Sequence, residues 1–200
     1  VDAGRLGQIT FVQTYWYQHA RAASFPPVTL EQLDWKQWLG SAPDQPFRPE
    51  RFYQWRHFWD FGGGCLTDLM THWIDVVHWY MDVEAPLSAV TTARSYNIKL
   101  WEAPDTVSTT LEFPKNFMAA YLGTYVSRVD DGGLEFRGDR GTLKIDRARL
   151  AFYRDDAAAT REGRIDVRAR LLCEVERRQR EPGIGGHGGE AAEVAGEPEA

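Results

Sequence analysis

After Pro86 the chain alternates apolar and polar residues with a period of two, which is the pattern of half-buried strands. The alternating segments are SAVTTARSY (Ser88–Tyr96), DTVSTTLEF (Asp105–Phe113), FMAAYLGTYV (Phe117–Val126), GLEFRG (Gly133–Gly138), GTLKID (Gly141–Asp146) and RLAFYR (Arg149–Arg154). The connectors between these segments are short and contain turn residues, as in Asp131–Gly133. Such connectors predict antiparallel neighbours, because a parallel crossover needs a dozen residues or more.

A second period, close to 3.6 residues, predicts a helix from Leu66 to Met81. Its apolar stripe consists of Leu66, Leu69, Met70, Trp73, Val76, Val77 and Tyr80. Upstream, Gln8–Gln18 is rich in β-branched and aromatic residues and predicts a strand. Between them lies the proline-rich region Ala20–Asp60, in which Leu30–Gly40 predicts a short helix that ends at the glycine. This order predicts an α+β fold, with the long helix packed on one face of a mostly antiparallel open sheet.

Composition and charge narrow the classes of protein. A net charge of −6, without a basic cluster interleaved with aromatic residues, argues against a nucleic-acid-binding protein. No apolar run reaches the roughly 18–20 residues of a membrane span, so we expect no membrane partner. The two cysteines form neither a disulfide framework nor a metal-binding pair, which favours a reducing, cytoplasmic location. The chain begins at Val1 rather than at Met, which suggests a fragment or a processed piece whose upstream signal is not seen.

The composition changes near the end of the last predicted strand. Every Phe, Trp and Tyr lies at or before Tyr153, and a charged run and a glycine-rich run follow. Segments of this kind bury too little apolar surface to offset the entropy cost of ordering. We therefore predict a folded domain over residues 1–154 and a disordered tail over residues 155–200.

The predicted helix also carries titratable side chains. Asp68, His72 and Asp75 are spaced i, i+4 and i+7, which places them in one sector away from the apolar stripe, whereas His78 lies off that line. A carboxylate one turn from an imidazole can fix its tautomer and raise its basicity, which suits a histidine that transfers protons. The alternative is an ordinary solvated helix face. A metal ion bound by Asp68 and His72 is disfavoured, because the spacing marks no third ligand.

Three glycines, Gly62–Gly64, precede this helix. They give the backbone access to positive φ and would let a ligand approach the start of the helix closely. The alternative interpretation is a tight turn with no ligand.

The segments LDWKQWLG and WRHFWDFGGGCLTDLMTHWIDVVHWYM resemble the C-terminal domain of the glucose–fructose oxidoreductase / inositol dehydrogenase (Gfo/Idh/MocA) family. The helix pattern of that family, G-G-x-L-x-D-x-x-x-H-x-x-D, is matched by Gly63, Gly64, Leu66, Asp68, His72 and Asp75. The resemblance extends over roughly Gly4 to Tyr153 and includes the predicted strands.

The resemblance implies an NAD(P)-dependent enzyme that oxidises a CH–OH group of a sugar or polyol. By position, His72 would be the acid/base and Asp68 would orient it. The other implied substrate-binding residues are Asp75, Arg56, Trp59, Gly63 and Gly64. Arg56 could instead pair with Asp60, and Trp59 could instead belong to the core. The resemblance also implies a homo-oligomer that associates through the sheet.

Two features of the family are missing from the sequence. The sequence from Val1 onward contains neither a Rossmann domain nor the Glu-Lys-Pro motif that supplies a catalytic lysine in the family. The residues that bind the cofactor are therefore unknown, and the chain is expected to be inactive alone. Gly183–Gly188 satisfies G-x-G-x-x-G but follows a charged run rather than a strand, so it predicts no dinucleotide site. Two alternatives stay open: an NAD-dependent glycosidase, and an orphaned sugar-binding or oligomerisation module without catalysis.

Overall fold

The structure of the protein, a computed structural model, describes residues 4–20 and 25–155 and the strand Ile165–Asp166. The described residues belong to one compact unit. Apart from Asp155 and that short strand, the predicted tail lies outside the described residues, and its disorder stays a prediction.

Eight strands form one sheet in the order β2-β3-β4-β1-β5-β6-β7-β8. Their bounds are β1 Ile9–Tyr17, β2 Ser88–Arg94, β3 Thr106–Phe113, β4 Phe117–Thr124, β5 Gly132–Gly138, β6 Gly141–Asp146, β7 Leu150–Arg154 and β8 Ile165–Asp166. Every neighbouring pair is antiparallel except β1 and β4, which are parallel. The predicted mostly antiparallel sheet is thus confirmed.

The prediction that short connectors join neighbouring strands is wrong at one place. β4 and β5 follow each other along the chain, but β1 lies between them and pairs with both. In the register, Val12 of β1 lies opposite Ala119 of β4 and Phe136 of β5. The first strand of the domain is therefore a central strand, with a hydrogen-bonded neighbour on each side.

The region between β1 and the long helix contains two short helices, α1 (Trp35–Leu39) and α2 (Pro49–Tyr53), and a 3₁₀ turn at Trp55–His57. The side chain of Asp34 caps α1 by accepting the N–H of Gln37 at 2.9 Å. The predicted helix over Leu30–Gly40 is thus present in shortened form, whereas α2 was not predicted.

The long helix consists of a π-helical segment, Cys65–Met70, followed directly by α3 (Thr71–Met81). Within the described residues, no helix combines the length and the apolar character needed to cross a membrane.

The main core lies between α3 and one face of the sheet. Trp73 and Val77 of α3 pack in one cluster with Val12, Leu134 and Phe136 of the sheet. The predicted apolar stripe is thus what attaches the helix to the sheet. Burying a side chain such as Val77, which is fully inaccessible to solvent, contributes about 1.5–3 kcal/mol.

A buried carboxylate organises the connection between β2 and β3. Asp105 is fully buried and accepts the backbone N–H groups of Tyr96, Asn97 and Ile98 at 2.7–3.1 Å, together with the hydroxyl of Thr106. Burial alone would raise the pKa of Asp105, but these hydrogen bonds favour its charged form and together lower the pKa. The connection is thereby held without regular secondary structure.

Candidate active site

A π-helical start changes the geometry of the helix that carries the candidate residues. Gly64 precedes it with φ 60° and ψ −139°, a conformation that strongly favours glycine. π-Helical hydrogen bonds join residues five apart and place successive side chains at other angles than an α-helix does. The wheel that puts Asp68 and His72 in one sector assumes a uniform α-helix, and Asp68 lies in the π-helical segment.

Asp68 forms an ion pair with Arg56. The Arg56 Nε donates to the Asp68 Oδ1 at 3.2 Å, and the Arg56 guanidinium lies 4.3 Å from the centre of the Trp55 ring. The two side chains are 48% and 30% exposed, so the pair stabilises the fold by at most about 1 kcal/mol and stays accessible to a ligand. The alternative pairing of Arg56 with Asp60 is not what the structure shows, since Asp60 pairs with Arg51 at 2.8 Å.

His72 is exposed and stacks on the indole of Trp16, with ring centroids 5.0 Å apart and planes 28° apart. Among the described residues, neither the Asp68 nor the Asp75 carboxylate hydrogen-bonds to the His72 ring: Asp68 pairs with Arg56, and Asp75 is exposed with no ion pair. The structure thus places Asp68 with Arg56 and His72 with Trp16. The roles assigned to these residues stay predictions.

His78, the histidine predicted to lie off this row, is on the core side of α3. Its ring makes an edge contact with Phe113, with centroids 5.4 Å apart.

The glycine loop packs closely against other parts of the chain. A Cβ added to Gly63 would lie 2.6 Å from a side-chain carbon of Thr67, and one added to Gly64 would lie 2.8 Å from the Cβ of Ala103. A Cβ on Gly62 would lie 2.8 Å from a backbone oxygen of the preceding turn. The Gly63 N–H also donates to the Thr67 hydroxyl at 2.9 Å. The loop therefore needs glycine for its own packing, and substrate binding by Gly63 and Gly64 stays a prediction.

Trp59 projects from the turn that leads into this loop, with 59% of its surface exposed. Its backbone N–H donates to Glu102 Oε2 at 3.1 Å. Glu102 also forms an ion pair with Arg51, which in turn pairs with Asp60. This network fixes the backbone of Trp59 while the indole remains outside the core and available for stacking on a ligand.

His57, which follows Arg56 in the 3₁₀ turn, is buried. Its ring stacks on Trp101 with centroids 3.7 Å apart and meets Tyr125 edge-on at 4.8 Å. Within the described part of the chain, neither its Nδ1 nor the Tyr125 hydroxyl has a hydrogen-bond partner. Burial lowers the pKa of His57 to about 4; the charge of Arg56 acts in the same direction and that of Asp68 against it. This imidazole is therefore neutral at pH 7.

Cys65, the first residue of the π-helical segment, is also buried. The Tyr121 hydroxyl donates to its carbonyl oxygen at 2.9 Å and lies 3.4 Å from its sulfur. Burial raises the pKa of the Cys65 thiol to about 11, so the thiol stays protonated and is not a nucleophile. Cys65 is thus a small buried residue at the start of the helix.

In the described ranges, no group of three or more His, Cys, Asp or Glu side chains is placed to hold a metal ion. The arrangement instead offers an exposed imidazole, a carboxylate paired with a guanidinium, and an exposed indole. These groups can exchange a proton with a hydroxyl, accept hydrogen bonds from hydroxyls and stack on an apolar sugar face.

Comparison with solved structures gives related folds. An NAD binding oxidoreductase from Klebsiella pneumoniae matches with TM-score 0.59 and 18% identity, over 94% of this chain and 47% of that one. Levoglucosan dehydrogenase in complex with NADH and levoglucosan matches with TM-score 0.58 and 17% identity, over 84% and 41%. An oxidoreductase domain protein from Kribbella flavida matches with TM-score 0.55 and 17% identity, over 84% and 40%. At these identities the likeness shows the fold alone, and the chain spans less than half the length of each structure.

No curated protein matches the sequence. A family model described as the GFO/IDH/MocA C-terminal domain matches residues 37–144, more than half of the chain. That segment includes the glycine loop, the π-helical segment, α3 and strands β2 to β5. The chain therefore belongs to the Gfo/Idh/MocA family and carries its C-terminal domain.

Proposed function

We propose that this chain is the substrate-binding and catalytic-helix portion of an NAD(P)-dependent oxidoreductase that acts on a CH–OH group of a sugar or polyol. The observation that carries the proposal is the exposed imidazole of His72 on a helix whose opposite side is anchored in the core. A histidine held on a rigid element yet open to a ligand suits general acid/base catalysis. Family membership supports the same class of reaction.

In the proposed reaction, the imidazole of His72 removes the hydroxyl proton of the substrate as the carbon becomes a carbonyl. The imidazolium that results is positively charged, and the carboxylate of Asp68 on the same helix would stabilise that charge. Arg56 holds Asp68 in place and offers further N–H donors to substrate oxygens. Asp75, exposed on α3, would accept a hydrogen bond from a substrate hydroxyl, and Trp59 would stack on the apolar face of the sugar ring.

A nicotinamide cofactor, NAD or NADP, would accept the hydride from the same carbon. The glycine loop Gly62–Gly64 does not fit the dinucleotide. A phosphate-binding loop needs glycines that leave room for the ligand, whereas the Cβ positions of Gly62–Gly64 are filled by atoms of the chain itself. We therefore assign no cofactor-binding residue to this domain, and we place the cofactor outside the described residues.

We also propose that the domain self-associates through the face of the sheet opposite α3. Met118 of β4 and Tyr153 of β7 lie on that face, because Ala119 and Phe152 beside them pack toward the core. Val90 of β2 lies there as well, because it pairs with Thr110, the residue before the core residue Leu111. Val90, Met118 and Tyr153 are 71%, 45% and 38% exposed. Large apolar side chains on one open sheet face are what a sheet-to-sheet contact between copies would cover.

The experiment that tests the reaction is a dehydrogenation assay of the full-length protein with a panel of neutral sugars and polyols. His72→Ala should lower turnover by about 10²–10⁴-fold, the usual contribution of a positioned acid/base. Asp68→Asn should cost less, because the imidazole remains. His78→Ala is the matched control on the same helix and should leave turnover nearly unchanged, with melting temperatures recorded for all three variants. Full activity of His72→Ala would refute the proposed role.

A further inference from the structure

We propose that Trp16, on the central strand β1, is the positioning residue for His72. This inference rests on the proposed function, since it assigns the acid/base its structural support. The sequence suggests that Asp68 orients the imidazole, but in the structure the Asp68 carboxylate is bound by Arg56. The indole of Trp16 is the ring that contacts His72.

The contact between the two rings has the geometry of a stack. The centroids are 5.0 Å apart and the planes are inclined by 28°, within the range of favourable aromatic pairs. His72 is otherwise exposed, and among the described residues no hydrogen bond to its ring restricts its side-chain rotation. Its orientation therefore depends on the indole more than on any other described group.

The indole is itself held on several sides. Its Nε1 donates to Gln18 Oε1 at 3.2 Å, and the guanidinium of Arg147, from the turn between β6 and β7, lies 4.3 Å from the ring centre. The residues paired with Trp16 on both neighbouring strands are glycines, Gly123 on β4 and Gly132 on β5. A Cβ on Gly132 would lie 3.3 Å from a ring carbon of Trp16. Gly132 thus leaves space for the indole, whereas a Cβ on Gly123 would meet Cys65 and Tyr121 instead.

This arrangement links the sheet to the catalytic helix at the candidate site. β1 is hydrogen-bonded on both edges, so its Cα positions are among the most constrained in the domain. A ring carried by such a strand limits the rotamers of His72 without making a hydrogen bond to it. Both nitrogens of the imidazole then remain free to exchange a proton with the substrate.

The first experiment measures the stack directly, in the chain itself, by NMR of its histidine ring protons. Stacking on an indole displaces the His72 signals from those of free histidine, and His72→Ala identifies them. Trp16→Leu should move the His72 signals to the free positions, and Trp16→Phe should retain part of the displacement. Trp79→Leu removes an exposed tryptophan of the same helix and is the matched control, for which the His72 signals should stay unchanged. Identical His72 signals in wild type and Trp16→Leu would overturn the proposal.

The second experiment separates positioning from substrate binding in the full-length enzyme. Trp16→Leu should lower kcat by about 10-fold or more, as expected for a displaced catalytic group, while KM changes by less than about 3-fold. Combined with His72→Ala, Trp16→Leu should cause no further loss of kcat, because both changes remove the same function, the positioned imidazole. A higher KM with unchanged kcat would make Trp16 a substrate-contact residue and would also overturn the proposal.

Two further outcomes are distinguishable. If His72→Ala keeps full activity, the proposed function fails, and the NMR result still decides whether Trp16 holds the imidazole. If Trp16→Leu does not fold, Arg147→Gln replaces it, because Arg147 is exposed and supports the indole from outside the core. That variant should displace the His72 signals in the same direction by a smaller amount, and an absence of any displacement would count against the proposal.

Discussion

Replacing His57 should change how the stability of the domain depends on pH. Burial between Trp101 and Tyr125 disfavours the charged imidazole and lowers its pKa to about 4. In the unfolded chain a histidine has a pKa of about 6.5. Between these values the unfolded state binds more protons than the folded state, so stability is lost as the pH falls from about 6.5 toward 4.

The size of this effect follows from the two pKa values. A pKa that falls from 6.5 to about 4 corresponds to about 3 kcal/mol of free energy of unfolding lost by pH 4. His57→Phe removes the titration but keeps a ring that can stack on Trp101. It also removes the Nδ1 atom, which has no hydrogen-bond partner in the described residues. We therefore expect the variant to be about as stable as wild type at pH 7 and more stable than wild type at pH 5.

The assay is urea unfolding at pH 7, 6, 5 and 4, with the difference between variant and wild type taken at each pH. Taking the difference cancels the titration of the carboxylates that both proteins share. Tyr125→Phe is the matched control, since it removes the facing hydroxyl but leaves the buried imidazole. It should lose stability toward low pH as wild type does. If His57→Phe lost stability toward acid as steeply as wild type does, His57 would be charged or hydrated in the folded protein and the reasoning would be refuted.

Four other variants or conditions have defined outcomes. Asp105→Ala should lower the free energy of unfolding by about 2–4 kcal/mol in chemical denaturation, because three backbone N–H groups lose a charged acceptor. This difference from wild type should shrink below about pH 4, where the Asp105 carboxylate of the unfolded wild-type chain becomes protonated. Gly64→Ala should lower the melting temperature more than Gly40→Ala, since both glycines have positive φ but only Gly64 meets a neighbouring side chain. Titration calorimetry of the chain with NADH or NADPH should show no micromolar binding, and such binding would contradict the domain assignment. Met118→Glu should shift the chain to a smaller species in light scattering, and an unchanged mass would count against association through the sheet.

The strands β3 and β4 were predictable from the sequence because one side of each faces the core and their burial alternates accordingly, whereas β2 is exposed throughout and β5 is buried at five successive residues. In the strand Thr106–Phe113, buried residues alternate strictly with exposed ones after the half-buried Thr106. The predicted bounds, Asp105–Phe113, differ from the observed ones by one residue. The position of β1 between β4 and β5 was not predictable from connector length, since it depends on a pairing between residues more than a hundred positions apart. Local pattern determines which segments are strands, whereas their order depends on long-range packing.

The candidate site was predictable only as a set of residues. The spacing of Asp68 and His72 selects one surface of the helix, but a wheel drawn at one fixed angle cannot represent the π-helical segment Cys65–Met70. The contacts of these residues, Arg56 from the preceding turn and Trp16 from the first strand, come from parts of the chain that no local motif connects. The burial of His57 could not be predicted from periodicity, because His57 lies in a 3₁₀ turn without a repeating pattern.

The buried layer beneath the site explains why its surface groups can be both exposed and fixed. Gly64, directly before the π-helical segment, packs against Ala103, and the carbonyl of Cys65, its first residue, accepts the hydroxyl of Tyr121; these contacts restrict the start of the helix. Exposed ion pairs and stacked rings hold their geometry weakly by themselves. Here they are carried by a helix start that is anchored from below and by a strand that is paired on both edges. A site of this construction keeps its polar groups in place before a ligand binds, so binding of the proposed substrate would need little reorganisation.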